Sequence, residues 1–556
     1  MGARTEYPPA LENLSKKARV TVDIEGVLRR PHTEERGLLP TLARSARRSP
    51  FSSPHIMPRR IPRPVLLLLV LGGLGLLVVT ANFIFTWRAT SVARTRAEEH
   101  LATLRETPGD TNTRGNNGGN TLDAQNGDQK PQMQEERDQF SADDVQRMEK
   151  QLVYTLHQIA QRTTEKRGIV LPMFDGVAAL GLSLIMELRA MSVDLPIEVP
   201  HCGDLKESLP RMLQEKEDMG IIRFYDVCEL ASKTASTLDP SRKVFCQSLR
   251  NCHRSYRSFD VKLLAMTYSQ FEEIMLLDAD TLFFESPMSL WDTEKYRNTG
   301  TLFFHDRLSQ DNMFLGNRIR GNKDVSELNQ YISRFDVSPF APLGNIERPK
   351  ATSENKIPVQ LDNFSPSEHL LTSHSWNHRA GHEMDSSLVL WNKKRQPRAT
   401  AILAAFVALN GIGRPPSYGD KELFFIAVEL AETQYAFSDF GVGGVGWDFR
   451  DNGPGKSVVC GHASHYYPVK PADASAVANT SVLYLNSDAI LEYNPKKKPV
   501  YYSQARLYEV YAGSFEQRDL PQECPFDVTG VRFSSAQEDR LLLRQRFHEI
   551  AVAWME

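Results

Sequence analysis

Phe271-Glu-Glu-Ile-Met-Leu-Leu-Asp-Ala-Asp-Thr-Leu-Phe-Phe284 carries an apolar run straight into two carboxylates one residue apart. Ile274 to Leu277 form a short continuous apolar stretch, the pattern of a strand covered on both faces, as in the middle of a parallel sheet. In open α/β sheets ligands gather outside the carboxyl ends of such strands, so Asp278 and Asp280 stand at the mouth of the expected sheet. Two carboxylates that close repel each other unless a proton or a cation lies between them. Their oxygens suit a hard divalent ion, Mn²⁺ or Mg²⁺, which can also hold a diphosphate. An isolated Asp-x-Asp is more often a solvated strand exit, so the rest of the chain has to decide.

Around this stretch runs an α/β rhythm. Gly168–Phe174 reads as a first strand and Asp175-Gly176 as a turn. Val177–Met191 reads as an apolar helix, Leu195–Val199 as a strand, Asp204–Gln214 as a helix and Ile221–Tyr225 as a third strand. Ser258–Tyr268 is an expected helix carrying Lys262, and Thr301–Phe304 is one more strand, ending at His305-Asp306-Arg307. Strand, helix, strand at this spacing implies parallel pairing through right-handed crossovers. Residues 308–375 are polar and irregular, as lids and insertions are. The polar cluster His382–Ser387 precedes an expected strand at Leu388–Trp391, and Arg398–Asn410 reads as an Ala-rich helix. Gly419-Asp-Lys-Glu422 opens another, with Asp420 and Glu422 in a first turn where the dipole favours them. Cys460-Gly-His-Ala-Ser-His-Tyr-Tyr467 follows. At the end, Ser535 and Glu538 form a capping box for a helix whose stripe, Leu543, Phe547, Ile550 and Trp554, faces the core. Ser141 is the expected N-cap of a helix before the first strand.

The 556 residues hold 66 basic and 69 acidic side chains, a net charge of −3. That balance gives no electrostatic case for nucleic acid as partner. Residues 65–87 carry no charge, enough to span a bilayer, with arginines on both sides and Trp87 at an interfacial position. They are read as a single-pass signal anchor. Residues 1–64 are then a disordered cytosolic tail, 88–139 a polar lumenal stem, and 140–556 the folded domain with a helical C-terminal extension. All six cysteines follow the span, where an oxidising lumen permits disulfides. The pairing is open, although Cys246 and Cys252 are near enough to close a small loop. Asn479-Thr-Ser481 is an acceptor sequon on the same side.

Several motifs, taken in order, resemble the fungal-type Mnn1/Mnn2 α-mannosyltransferase family of the nucleotide-diphospho-sugar transferase superfamily. They are Leu195–Val199, Lys262 in its Leu-rich helix, Phe271–Asp280, Thr299–Phe304 with Asp306-Arg307, His382–Ser387 and Gly419–Glu422. The resemblance covers roughly residues 167–470. It implies an α/β domain of GT-A type (Rossmann-like, with a mixed, mostly parallel sheet), preceded by the transmembrane helix and stem, on the lumenal side of the Golgi membrane. It also implies GDP-mannose as donor, Mn²⁺ (or Mg²⁺) as cofactor, and mannose transfer with retention to a glycan acceptor. Asp280 would hold the metal, with Asp278 on metal or ribose, and His465 (alternatively His462) would be a third ligand. Lys262 and Arg307 would meet the phosphates. His382, Glu383 and Asp385 would line the sugar and acceptor pocket and carry the catalysis. Retention needs either a carboxylate nucleophile, Asp385 being the first to test and Glu383 the next, or front-face attack by the acceptor while the leaving phosphate takes its proton, and the sequence leaves both open. Asp420 and Glu422 would bind acceptor hydroxyls. The chain departs from the family at Asp385-Ser386-Ser387, where Glu-Ser-Gly is frequent. Two other readings are the same fold with a UDP-hexose donor, and a membrane-tethered glycan-binding protein without catalysis.

Overall fold

The computed structural model describes residues 142–556 apart from 215, 217–218, 309–311, 362–363, 410–412, 451–456, 492–498 and 512–527. The expected tail, span, stem and N-cap at Ser141 lie outside the described residues. Among the described residues no helix is long and apolar enough to cross a membrane.

β1 (Glu165–Val170), β2 (Ile197–His201), β3 (Ile222–Asp226) and β4 (Phe271–Leu277) pair in parallel in the order β3-β2-β1-β4. Helices bridge them, Ala178–Ala190 between β1 and β2, Ser208–Gln214 between β2 and β3, and Asp260–Tyr268 last before β4. β1 starts earlier than its apolar residues suggest. Its polar opening pairs across to β4, Lys166 with Glu272 at 2.6 Å and Arg167 with Glu273 at 2.5 Å, and cross-strand charge pairs of this kind support a ladder.

β5 (Thr281–Phe283) leaves this sheet, while β6 (Thr301–His305) stays in it. A small hairpin, β7 (Arg318–Ile319) with β8 (Asn322–Ser326), follows. β9 (Met384–Asn392) then inserts between β4 and β6, antiparallel to both. Parallel pairing thus holds as far as β4, and the finished six-stranded sheet is mixed but mostly parallel. β9 also begins four residues before the expected Leu388. Asp385, Ser386 and Ser387 lie inside the strand because each finds polar partners there, and the Ser387 carbonyl accepts the N–H of Asp278 at 2.9 Å. The apolar residues alternate as a strand covered on both sides requires. Ile274, Leu276, Val389 and Trp391 enter one core, and Met275, Leu277, Leu388 and Leu390 the other.

The second sheet is antiparallel. β10 (Gly443–Arg450), β11 (Val458–Tyr466), β12 (Val482–Asn486), β13 (Tyr501–Ser503) and β14 (Gly530–Arg532) assemble in the order β14-β13-β10-β11-β12-β5. Since β5 belongs to it, the loop Asp278-Ala-Asp280 joins the two sheets directly, strand to strand. The final helix, Ser535–Met555, is capped by Ser534 and Gln537 rather than Ser535 and Glu538. Its buried face is Leu541, Arg544, Gln545 and Ala551, with Ile550 exposed. Of the expected stripe, Phe547 and Trp554 pack against the core, and beside them Arg544 is drawn inward to the buried Glu187, Nε to Oε2 at 2.8 Å. Cys202 bonds Cys228 and Cys246 bonds Cys252. The side chains of Cys460 and Cys524 lie outside the described residues.

Candidate functional site

The carboxyl ends of β4 and β6 and the start of β9 meet at one sheet edge, and most of the singled-out residues stand there. Asp278 Oδ1 lies 2.7 Å from Lys262 Nζ, which also reaches Asp420 Oδ2 at 3.1 Å and donates to Ser386 Oγ at 3.3 Å. Lys262 is therefore buried between two acids and is not on a solvated helix face. Desolvation works against its charge, but Asp278 and Asp420 overcome that and hold its pKa above the usual lysine value. The Asp278 pKa is raised as well, which here favours the neutral form. Burial lifts its carboxyl most, Lys262 resists, and Asp280 and Asp420 reinforce the rise. Asp280 accepts a hydrogen bond from Asn486 Nδ2 at 2.8 Å, and its carbonyl accepts the N–H of Ser487 at 3.1 Å. Its carboxyl is also pushed up, by burial and by the acids Asp488 and Asp385.

Asp385 is the next carboxylate inward. Oδ1 accepts the N–H of Ser387 at 2.7 Å and Oδ2 meets His465 Nε2 at 3.1 Å. Burial alone would raise its pKa, but His465 and Lys421 reverse this and hold Asp385 well below the usual range. Lys421 Nζ bonds Asp306 Oδ2 at 2.5 Å. His465 stacks on Tyr484 at 4.5 Å. His462 stands three residues before His465 in β11, so strand alternation sends it to the other face.

Acid thus exceeds base at this edge. Asp278, Asp280, Asp385, Asp420 and Asp306 face Lys262 and Lys421, and burial, reinforced by the neighbouring acids, holds the Asp278 and Asp280 carboxyls above their usual pKa. An all-oxygen set with surplus negative charge fits a hard divalent ion. Asp278 and Asp280 could hold such an ion, while His465 is engaged with Asp385.

The remaining candidates divide. His382 Nδ1 meets Glu422 Oε1 at 3.0 Å, and its ring stacks on Phe314 at 4.6 Å. Glu422 and Asp420 do not lie in a helix's first turn, because the helix begins at Leu423. Glu422 instead caps the start of β9, accepting from the N–H groups of Glu383 and Met384, and Asp420 turns to Lys262. Arg307 lies at the rim, 28% exposed, with Nε 3.8 Å from Asp306. Glu383 points elsewhere, to Tyr508 and Ser375. Sequence reasoning left Lys421, Asn486 and Tyr484 out. Lys421 lies inside a quoted motif, and its place between two acids was the signal available. Asn486 and Tyr484 carry none without the fold.

Residues 166–463 match the model of a family described as "Mannosyltransferase putative". The chain is 26% identical over 336 residues to the Candida albicans protein named "Putative alpha-1,3-mannosyltransferase MNN1", covering 58% of this chain and 38% of that one. It is 24% identical over 295 residues to "Alpha-1,3-mannosyltransferase MNT2" of Saccharomyces cerevisiae, covering 52% and 46%. The chain spans less than half the length of these curated relatives. The solved structure of the mannosyltransferase Ktr4p from S. cerevisiae, 8% identical, overlaps 53% of this chain and 77% of its own at a TM-score of 0.26, too low to establish a common fold.

Proposed function

The chain belongs to the family described as "Mannosyltransferase putative", and from that premise we propose a glycosyltransferase of GT-A type that moves mannose from GDP-mannose to a glycan with retention. The observation that carries this reading is the Asp278–Asp280 pair at the sheet edge, with more carboxylates around it than its two lysines balance. The names of the relatives support mannose as the sugar and an α-1,3 linkage. A divalent ion such as Mn²⁺, when bound, supplies positive charge to the departing diphosphate. Asp280 and Asp278 would hold it, and Lys262 fixes Asp278 in place. Arg307, at the open rim, is the basic group positioned to meet phosphate. Both oxygens of Asp385 are already engaged, and Glu383 faces away, so neither is poised as a nucleophile. That arrangement favours front-face attack by the acceptor hydroxyl, whose proton passes to the leaving phosphate. Asp385, kept ionised by His465 and Lys421, then stabilises positive charge developing on the sugar. The charge-free run 65–87 and the two disulfides support a type II protein of the Golgi membrane with a lumenal domain.

The test is turnover by the full-length chain in detergent. GDP-mannose with Mn²⁺ gives an α-mannosylated glycan, and Asp280→Asn lowers the rate on the order of 10²-fold or more, the scale seen on losing one transition-state charge partner. Undiminished rates in chelator, or faster turnover of a UDP-hexose, would overturn the metal or the donor. Glycan binding without turnover of any donor would leave the tethered glycan-binding protein.

A further inference from the structure

A second constellation lies across the sheet from His465. Phe304 packs against His465 at 5.4 Å and Tyr484 at 5.3 Å. Strand alternation sends the next residue, His305, to the opposite face. There its ring stacks on Tyr508 at 3.7 Å and on Phe437 at 4.6 Å. His369 comes from the short helix Glu368–Thr372, inside the segment 308–375 expected to be a lid or insertion, and stacks on Phe437 at 4.4 Å. Both histidines turn toward one atom. His305 Nδ1 is 3.6 Å and His369 Nε2 is 3.3 Å from Glu383 Oε1, and the three lie within 4.8 Å of one another. Neither nitrogen has a hydrogen-bond partner, although His305 is only 2% exposed. Buried polar atoms are almost always satisfied, so two orphaned imidazole nitrogens converging on one carboxylate oxygen call for a ligand.

We infer that His305, His369 and Glu383 form a second metal site, separate from the Asp278–Asp280 edge, for a borderline divalent ion of which Zn²⁺ is the type. Two imidazoles and a carboxylate are the donor set such ions take, whereas Mg²⁺ and Ca²⁺ prefer oxygen alone. The supporting groups are in place. Glu383 Oε1 accepts from the Tyr508 hydroxyl and Oε2 accepts from Ser375 Oγ at 3.0 Å, the kind of hydrogen bonds that orient a carboxylate ligand in a metal site. Three protein ligands leave a coordination position open. A cavity of about 290 Å³, lined by His305, His369 and Tyr508 with Lys295 and Lys470, gives a route in. The ligands tie the end of β6, the start of β9 and the inserted helix together, so the ion pins that insertion to the sheet two residues ahead of Asp385. The inference is independent of the donor sugar.

The untagged full-length chain in detergent is stripped with chelator, equilibrated with Zn²⁺ or Co²⁺ alone, and assayed for bound metal and visible absorption. The expected result is one tightly held equivalent per chain and a Co²⁺ d–d band. Both persist in Asp278→Asn/Asp280→Asn, and His369→Ala weakens binding at least tenfold. Equal metal content in wild type and His369→Ala, or loss of the metal in the double Asp variant alone, would overturn the site. Should His369→Ala fail to fold, the wild type still decides. Zn²⁺ must raise its melting temperature where Mg²⁺ does not, and the absence of both that rise and the Co²⁺ band refutes the proposal.

Discussion

Lys262 shows what single residues do at the sheet edge. Its ammonium lies between Asp278 and Asp420, and Asp420 is 1% exposed. Lys262→Met leaves that buried acid uncompensated, which costs about 3–5 kcal/mol, and urea denaturation should read it as a lowered midpoint with unchanged slope. Lys393 makes a prediction of a different kind. It is fully buried, donates to the Ser269 carbonyl at 2.7 Å, and burial pushes its pKa from 10.5 down to about 7. Between those values the unfolded chain holds the proton and the folded chain does not, so stability rises with pH across that window and this contribution is flat below it. The slope is at most about 1.4 kcal/mol per pH unit. Comparing urea midpoints at pH 7 and pH 9 should show the rise in the wild type and less of it in Lys393→Met, and parallel pH dependences would sink the idea. At this scale the sequence was legible where chemistry was local. Asp278 and Asp280 announced themselves at the end of an apolar run. Asn486 did not, because its partner Asp280 is 206 residues away, and Lys421 meets Asp306 across 115 residues.

Among the elements, β1 and β4 are matched by a glycine. A Cβ at Gly168 would fall 2.2 Å from the Phe271 ring, which lies over that position. Gly168→Ala should therefore cost about 1–3 kcal/mol of overpacking. Phe271→Leu in the same chain should recover part of it, so a double-mutant cycle on thermal or urea stability must be non-additive. Strict additivity would mean that the ring is not what the methyl meets. The parallel half of the sheet was readable because a helical pattern separated each apolar run from the next. β9 was read short, since its first half is polar and its place between β4 and β6 depends on a partner that no local pattern reveals. The second sheet went unread for a related reason. β10 is rich in glycine, β11 is weak in alternation, and their register leans on Gly461, at φ +147°, where any Cβ would lie 2.1 Å from the Val445 carbonyl oxygen.

On the scale of the whole molecule, the loop that carries the two aspartates also joins β4 of one sheet directly to β5 of the other, and it is held from behind. Arg544 Nη2 donates to the carbonyls of Ala279 at 2.9 Å and Thr281 at 3.3 Å, one on each side of Asp280. Glu187 accepts the N–H of Phe283 at 2.8 Å and pairs with Arg544. This clamp spans 265 residues of sequence, which is why a reading that trusted the helix's apolar stripe passed over it. Two roles are combined in Arg544, and they separate under substitution. Arg544→Met leaves the Glu187 carboxylate buried without its partner and should cost about 3–5 kcal/mol. Arg544→Met with Glu187→Gln removes the stranded charge and keeps an acceptor for Phe283, so much of the stability should return. The loop carbonyls stay unheld in both variants, so binding of Mn²⁺ and nucleotide, measured by calorimetry, should remain weakened in the double variant. If affinity returned together with stability, Arg544 would be only half of a buried ion pair, and the rigidity of the Asp278–Asp280 loop would have to come from β4 and β5 alone.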